Sequence, residues 1–177
     1  MSLSQSIALL LCLILAACVQ PNTDKQALGP PYTAEGNRIY DLEGIINSKD
    51  SIMLNELFLA HERKTSNQIA LVTTDTLAGY KDMAQFATFY FSDLGLGRED
   101  LNNGVGIAFS QELRGCFIAT GIGTEVVMGD EIVSRIVDSL MTPEFKANRY
   151  TKGLQIGTEA LVNFLERPEN RMDIQPK

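Results

Sequence analysis

The sequence predicts an α/β fold, a mixed β-sheet with helices packed on both faces, assembled from a βαβ crossover and a hairpin. Three observations carry that expectation. Two short apolar runs, QIALVTT at 68–74 and GVGIAFS at 104–110, are separated by a segment of helical periodicity. A polar link, QELRG, joins the second run to a third at 116–120, which reads as a hairpin. Amphipathic helical patterns precede and follow these runs, so strands and helices share one layered core.

In chain order, residues 7–17 (IALLLCLILAA) come first: an unbroken apolar run of eleven. A helix of that length rises roughly 16 Å, about half a hydrocarbon core, so the run suits the h-region of a secretory signal at 1–17. Leu15-Ala16-Ala17-Cys18 then resembles the lipobox of bacterial lipoproteins, which implies diacylglycerol on the Cys18 thiol and cleavage before it. The segment 18–37 holds Pro21, Pro30, Pro31, Gly29 and Gly36 and reads as a lipidated, extended tether. Its nineteen residues after Cys18 reach about 60 Å at most.

The domain proper is expected at 38–166. Ile52, Leu54, Leu57, Phe58 and His61 are spaced for one helix over 51–64, and Met83, Ala84, Ala87, Tyr90, Phe91 and Leu94 for another over 81–94. In the 104–110 strand, Gly106 and Ala108 put small residues on one face, as close packing of a helix requires. Apolar pairs at 132/133, 136/137 and 140/141 predict a helix over 130–141 that stops at Pro143. A last helix is expected from about 150 to 166, with Leu154, Gly157, Leu161 and Phe164 inward, then a polar tail at 167–177.

Composition removes much chemistry. The 177 residues carry 15 Lys+Arg against 22 Asp+Glu, a net charge of −7, which disfavours nucleic-acid binding. One His excludes sites built on two imidazoles, and three Cys make no disulfide framework. Cys12 leaves with the signal and lipidation uses Cys18, so Cys116 alone stays a thiol, in an apolar run where it reads as a small buried hydrophobe. His61 extends the apolar stripe of its helix and reads as structural.

Topology sorts the remaining polar residues. The crossover makes the first two strands parallel and the hairpin reverses the third. Asp75, Glu112 and Arg114 then lie at one edge of the sheet. The opposite edge collects Asp93, Glu99, Asp100, Asn102, Asn103, Glu125 and Asp130, with Gly104, Gly121 and Gly123 in the loops. A metal there is expected to be an oxygen-liganded hard cation, Ca²⁺ or Mg²⁺/Mn²⁺, with Asp100, Asn102, Asn103, Glu125 and Asp130 as candidate ligands. The same residues also suit turns and the first turn of a helix. EDLNNG fails as an EF-hand loop, since its glycine falls one residue early and position 111 is Gln. Gly121-Ile-Gly123-Thr-Glu-Val126 follows the wrong strand for a dinucleotide site, and no organic cofactor is expected.

LVTTDTLAGY, FSDLGLG, NNGVGIAF, ELRGCFIATGIGTE, GDEIVSRIV and TPEFKANRYTKGL, in this order after Asp41, resemble the TPM domain, a family named for a thylakoid-lumen protein, a photosystem II repair protein and a receptor-channel modulator. The resemblance covers about residues 38–166. It implies an extracytoplasmic α/β sandwich, usually membrane-anchored, that serves membrane complexes as an accessory or maintenance factor. Some members are phosphatases and some bind divalent cations. The positions matching the pattern are Asp100, Asn103, Gly104, Gly121, Gly123, Glu125 and Asp130. Leu94 stands where members often have Trp, and Thr124 where an apolar residue is common. The expected function is thus a membrane-tethered, monomeric lipoprotein domain that binds an envelope or membrane partner, with a divalent cation at the acidic loops. The alternative is a metal-assisted acid phosphatase with Asp100 or Asp130 as base.

Overall fold

The computed structural model describes residues 36–171. Residues 1–35, on which the expected signal, the Cys18 lipidation and most of the expected tether fall, lie outside the described residues, as do the last six positions of the chain.

Four strands form one sheet in the order β1-β2-β3-β4. β1 (Ile39–Asp41) lies parallel to β2 (Gln68–Thr73), β2 parallel to β3 (Gly104–Ser110), and β4 (Gly115–Thr120) antiparallel to β3. The crossover and hairpin are as expected; β1 is an addition. Three residues are too few to show a period, and the strand is held by pairing with Leu71, Val72 and Thr73. Asp41 then turns the chain: its carboxylate accepts from Ile45 N at 3.1 Å and Ile46 N at 2.9 Å, and from the Thr73 hydroxyl.

β3 is buried along its whole length because both faces of the sheet are covered. On one face Ile69, Leu71, Val105, Ile107 and Phe109 pack against α1 (Ser48–Thr65) and α6 (Tyr150–Leu165), through Leu54, Phe58, Leu154 and Leu161. On the other, Ala70, Val72 and Ala108 pack against α2 (Met83–Asp93), through Phe86, Ala87, Tyr90 and Phe91. The small face of β3 does what the sequence requires of it. A Cβ on Gly106 would sit 2.0 Å from Cδ2 of Phe91, so the ring occupies the place of the missing side chain.

Two helical expectations are corrected. Ile52 is 61% exposed, because it lies about 200° around the helix from Leu54, and the buried stripe runs Leu54, Phe58, His61, Thr65. The helix beginning at Asp130 does not stop at Pro143. It runs through α4 (Asp130–Arg135), a π-helical segment (Ile136–Met141) and α5 (Thr142–Lys146). In α geometry the Pro143 ring would collide with the carbonyl four residues earlier; the wider turn before it opens that space and lets the chain continue. A short 3₁₀ turn, Pro168–Asn170, follows α6. Among the described residues no helix is long and apolar enough to cross a membrane.

His61 is structural, as expected. It is fully buried, with Nε2 3.2 Å from the Thr65 hydroxyl and Nδ1 3.4 Å from a Glu166 carboxylate oxygen. Burial holds its pKa below the usual 6.5, against the opposing pull of Glu166. Burial raises the Glu166 carboxyl, but hydrogen bonds from Lys64 and His61 outweigh it and the net shift is downward from 4.5. Both signs point the same way: as pH falls the unfolded chain takes up protons that the fold refuses. Stability is therefore expected to decline as pH drops below about 6.5 and further below about 4.5. Urea midpoints measured from pH 7.5 to 4 check this, and His61→Gln should flatten the upper part of the curve.

Candidate functional site at the rim of the sheet

The antiparallel register places Thr120 opposite Val105, so the entry to β3 and the exit of β4 are neighbours. Backbone bonds then bind the two loops: Gly121 N donates to Gly104 O at 2.9 Å, and Gly123 N to Asn102 O at 3.1 Å. The buried Thr124 hydroxyl adds a bond to Gly104 O at 3.3 Å, where an apolar side chain would leave that carbonyl with less. The glycines permit the approach. A Cβ on Gly121 would lie 2.3 Å from Asn102 O, and one on Gly123 1.9 Å from Leu101 O.

This junction forms one wall of a recess of about 670 Å³, bordered by Asn102, Gly104, Gly121, Ile122, Glu125 and Asp130. Glu125 ends the four-residue helix α3 (Ile122–Glu125), and Asp130 opens α4 after the Gly129 cap, where the helix dipole favours an acid. The structure thus gathers Asn102, Glu125 and Asp130, with two of the loop glycines, around one depression.

Other predicted residues are spent elsewhere. Asp100 is exposed and gripped in bidentate fashion by Arg98, Nε to Oδ1 at 3.0 Å and Nη2 to Oδ2 at 2.8 Å. Asn103 is fully buried and works as a clamp. Its Oδ1 accepts from Arg98 N at 2.9 Å, while Nδ2 donates to Ser66 O at 2.9 Å and Asn67 Oδ1 at 3.2 Å. Asp93 and Glu99 are exposed and do not border the recess. Among the described residues no three His, Cys, Asp or Glu side chains are grouped so as to hold a metal ion.

Sequence reasoning missed the apolar part of the rim. Ile122 is 76% and Val126 84% exposed, on either side of Glu125 in the chain. Their four-residue spacing was legible as one helical face, but nothing in the pattern said that this face would stay uncovered. Cys116 is half-buried against the core rather than fully buried, and desolvation pushes its thiol up to about 12. At the far edge, Glu43 caps the hairpin by accepting from Gln111 N at 3.0 Å and Glu112 N at 2.8 Å.

The TPM domain family model matches residues 39–164. The chain is similar to the solution structure of the N-terminal domain of a protein from P. gingivalis, with 24% identity, 78% of this chain and 94% of that chain covered, and a TM-score of 0.67. It is also similar to the N-terminal domain of cg2496 from Corynebacterium glutamicum (14% identity, 76% and 82% covered, TM-score 0.59). A third likeness is BA42 from the psychrophilic bacterium Bizionia argentinensis (21% identity, 76% and 94% covered, TM-score 0.58). At these identities the three solved structures speak for the fold. No curated protein matches the chain.

Proposed function

The chain belongs to the TPM domain family, and on that premise we propose that it is a membrane-tethered extracytoplasmic lipoprotein whose domain docks an envelope or membrane partner through the rim. The observation that supports this best is the exposed Ile122–Val126 pair, of which Ile122 borders the recess together with Glu125 and Asp130. Single exposed aliphatics are ordinary; two on one turn, edged by carboxylates and an open recess, offer an apolar contact with a polar border. The lipobox residues supply the anchor: two or three acyl chains on Cys18 hold stably where one is marginal. The proline-bearing tether gives the rim its reach from the bilayer.

A divalent cation fits this rim only loosely. Ca²⁺ takes six to eight oxygens, and Glu125, Asp130 and the Asn102 amide are what the recess offers from the predicted ligands. That donor set suits a weak, mostly water-coordinated ion that would offset the acidic edge of the docking surface, with Ca²⁺ or Mg²⁺ as candidates. The second reading, a metal-assisted phosphomonoesterase, draws on the same recess. Since Arg98 holds Asp100, its base would be Asp130.

The full-length chain carrying Cys18→Ser is expected to leave the membrane pellet, and its retention there would refute the anchor. Ile122→Ser with Val126→Ser should leave unfolding unchanged and reduce cross-linking to neighbouring envelope proteins at least tenfold. Undiminished cross-linking would move the docking surface elsewhere. Phosphate release from p-nitrophenyl phosphate that disappears in Asp130→Asn would favour the esterase.

A further inference from the structure

The opposite edge of the sheet holds a second cavity of about 690 Å³, between the hairpin and the α5–α6 corner. That size lies within the range of small-molecule sites, roughly 300–1,000 Å³. One side is aromatic. The ring centroids of Phe109 and Phe145 are 4.5 Å apart and those of Phe109 and Tyr150 are 5.8 Å apart. The Tyr150 phenol donates to Asn148 Oδ1 at 2.9 Å, which fixes the ring.

The charged residues of this cavity are Arg114, Lys146 and Asp138, two cations to one carboxylate, in a chain whose net charge is −7. Neither Arg114 nor Lys146 has a hydrogen-bonding or ion-pair partner for its side chain among the described residues. Nearby cations behave differently: Arg149 and Lys152 are both engaged by Glu144. Arg114 also stands immediately before β4 with φ at 52°, a left-handed conformation that Gly or Asn adopts at lower cost. An arginine stands where the backbone alone would favour a smaller residue.

We propose that this cavity binds a small aromatic anion, with its ring against the Phe109–Phe145–Tyr150 wall and its carboxylate or phosphate held by Arg114 and Lys146. A guanidinium matches the two oxygens of either head group, and a flat ring gains from offset or edge contact with the aromatic wall. Asp138 disfavours a second negative charge at the far side, which selects a single anionic head. The site is separate from the rim and independent of what docks there.

The test is titration of the full-length chain with phenyl phosphate, benzoate and inorganic phosphate, following the aromatic NMR signals of Phe109, Phe145 and Tyr150. Phenyl phosphate, benzoate or both should shift these signals saturably, and the stronger of the two identifies the head group. Arg114→Gln and Lys146→Gln, at exposed positions, should each weaken binding about tenfold without changing the unfolding midpoint. The proposal is overturned if neither aryl anion binds, if the shifts fall outside the cavity, or if both variants bind as well as the parent. Inorganic phosphate binding as tightly as phenyl phosphate would also overturn it, because the aromatic wall would then contribute nothing.

Discussion

Gly123→Ala is expected to destabilise the domain by about 3 kcal/mol, against a helix propensity that favours alanine by about 1 kcal/mol. The two effects have opposite signs, so the experiment decides between them. Gly123 sits inside α3 without a left-handed φ, and its backbone would accept any residue. The obstacle is space. An added Cβ would lie 1.9 Å from the Leu101 carbonyl oxygen and 3.2 Å from that of Asn102. Both are backbone atoms, and Asn102 O already accepts from Gly123 N at 3.1 Å. No rotamer change relieves that clash; the two loops must separate, and with them the wall of the recess. Denaturant unfolding of the full-length chain measures the effect. Gly129→Ala is the control, since its Cβ would meet nothing nearer than Glu125 O at 3.8 Å. It should cost less than about 1 kcal/mol, the loss of a weak cap. A neutral or stabilising Gly123→Ala would mean that the two loops are not pressed together.

Gly121 and Gly123 also show how far the sequence could be read. Their spacing after a strand resembles a dinucleotide fingerprint, and topology was enough to set that aside. What the glycines are for, the approach of Leu101 and Asn102, depends on a loop twenty residues earlier and has no local signal. The sheet was legible because its strands are either wholly apolar or alternate small and large, and because the 111–115 link is too short for anything but a hairpin. β1 was not, since Ile39 and Tyr40 owe their extended form to β2 rather than to any period of their own. Pro143 misled for a related reason. As a local breaker it ends a helix, but burial of Ile136 and Met141, the first and last residues of the π-helical segment, rewards carrying the helix past it.

The acidic rim was legible in part. Strand direction placed Asp100, Asn102, Asn103, Glu125 and Asp130 near one edge, as the register of β3 with β4 requires. It could not say which side chains face the recess. Arg98 is two residues from Asp100 and takes both its oxygens, a local pairing that strand direction does not reveal. Ile122 and Val126 carry the other half of the lesson. A hydrophobic residue in a sequence is presumed buried, and only the placement of α3 shows these two left to solvent.

Asn103 carries the second large expectation. Asn103→Leu keeps the volume and should still cost about 3 kcal/mol, because buried groups lose their partners while nothing replaces them. The bonds at risk are those from Arg98 N and to Ser66 O and Asn67 Oδ1, which tie the entry of β3 to the end of α1. Asn103→Asp separates this clamp from a cation ligand. The introduced carboxylate could still accept from Arg98 N, but its second oxygen would face two acceptors in a buried place. Only its protonated form can donate there, so its folded pKa must rise above the unfolded value of about 3.9. The stability difference from the parent should accordingly be small near pH 4 and grow as pH rises through the folded pKa. If Asn103 were instead poised to hold a divalent cation, added Ca²⁺ would recover the Asn103→Asp variant at neutral pH and raise its urea midpoint above the parent's. The clamp requires that Ca²⁺ leave the midpoint deficit in place, and urea titrations at pH 4 and 7, with and without the ion, separate the two roles.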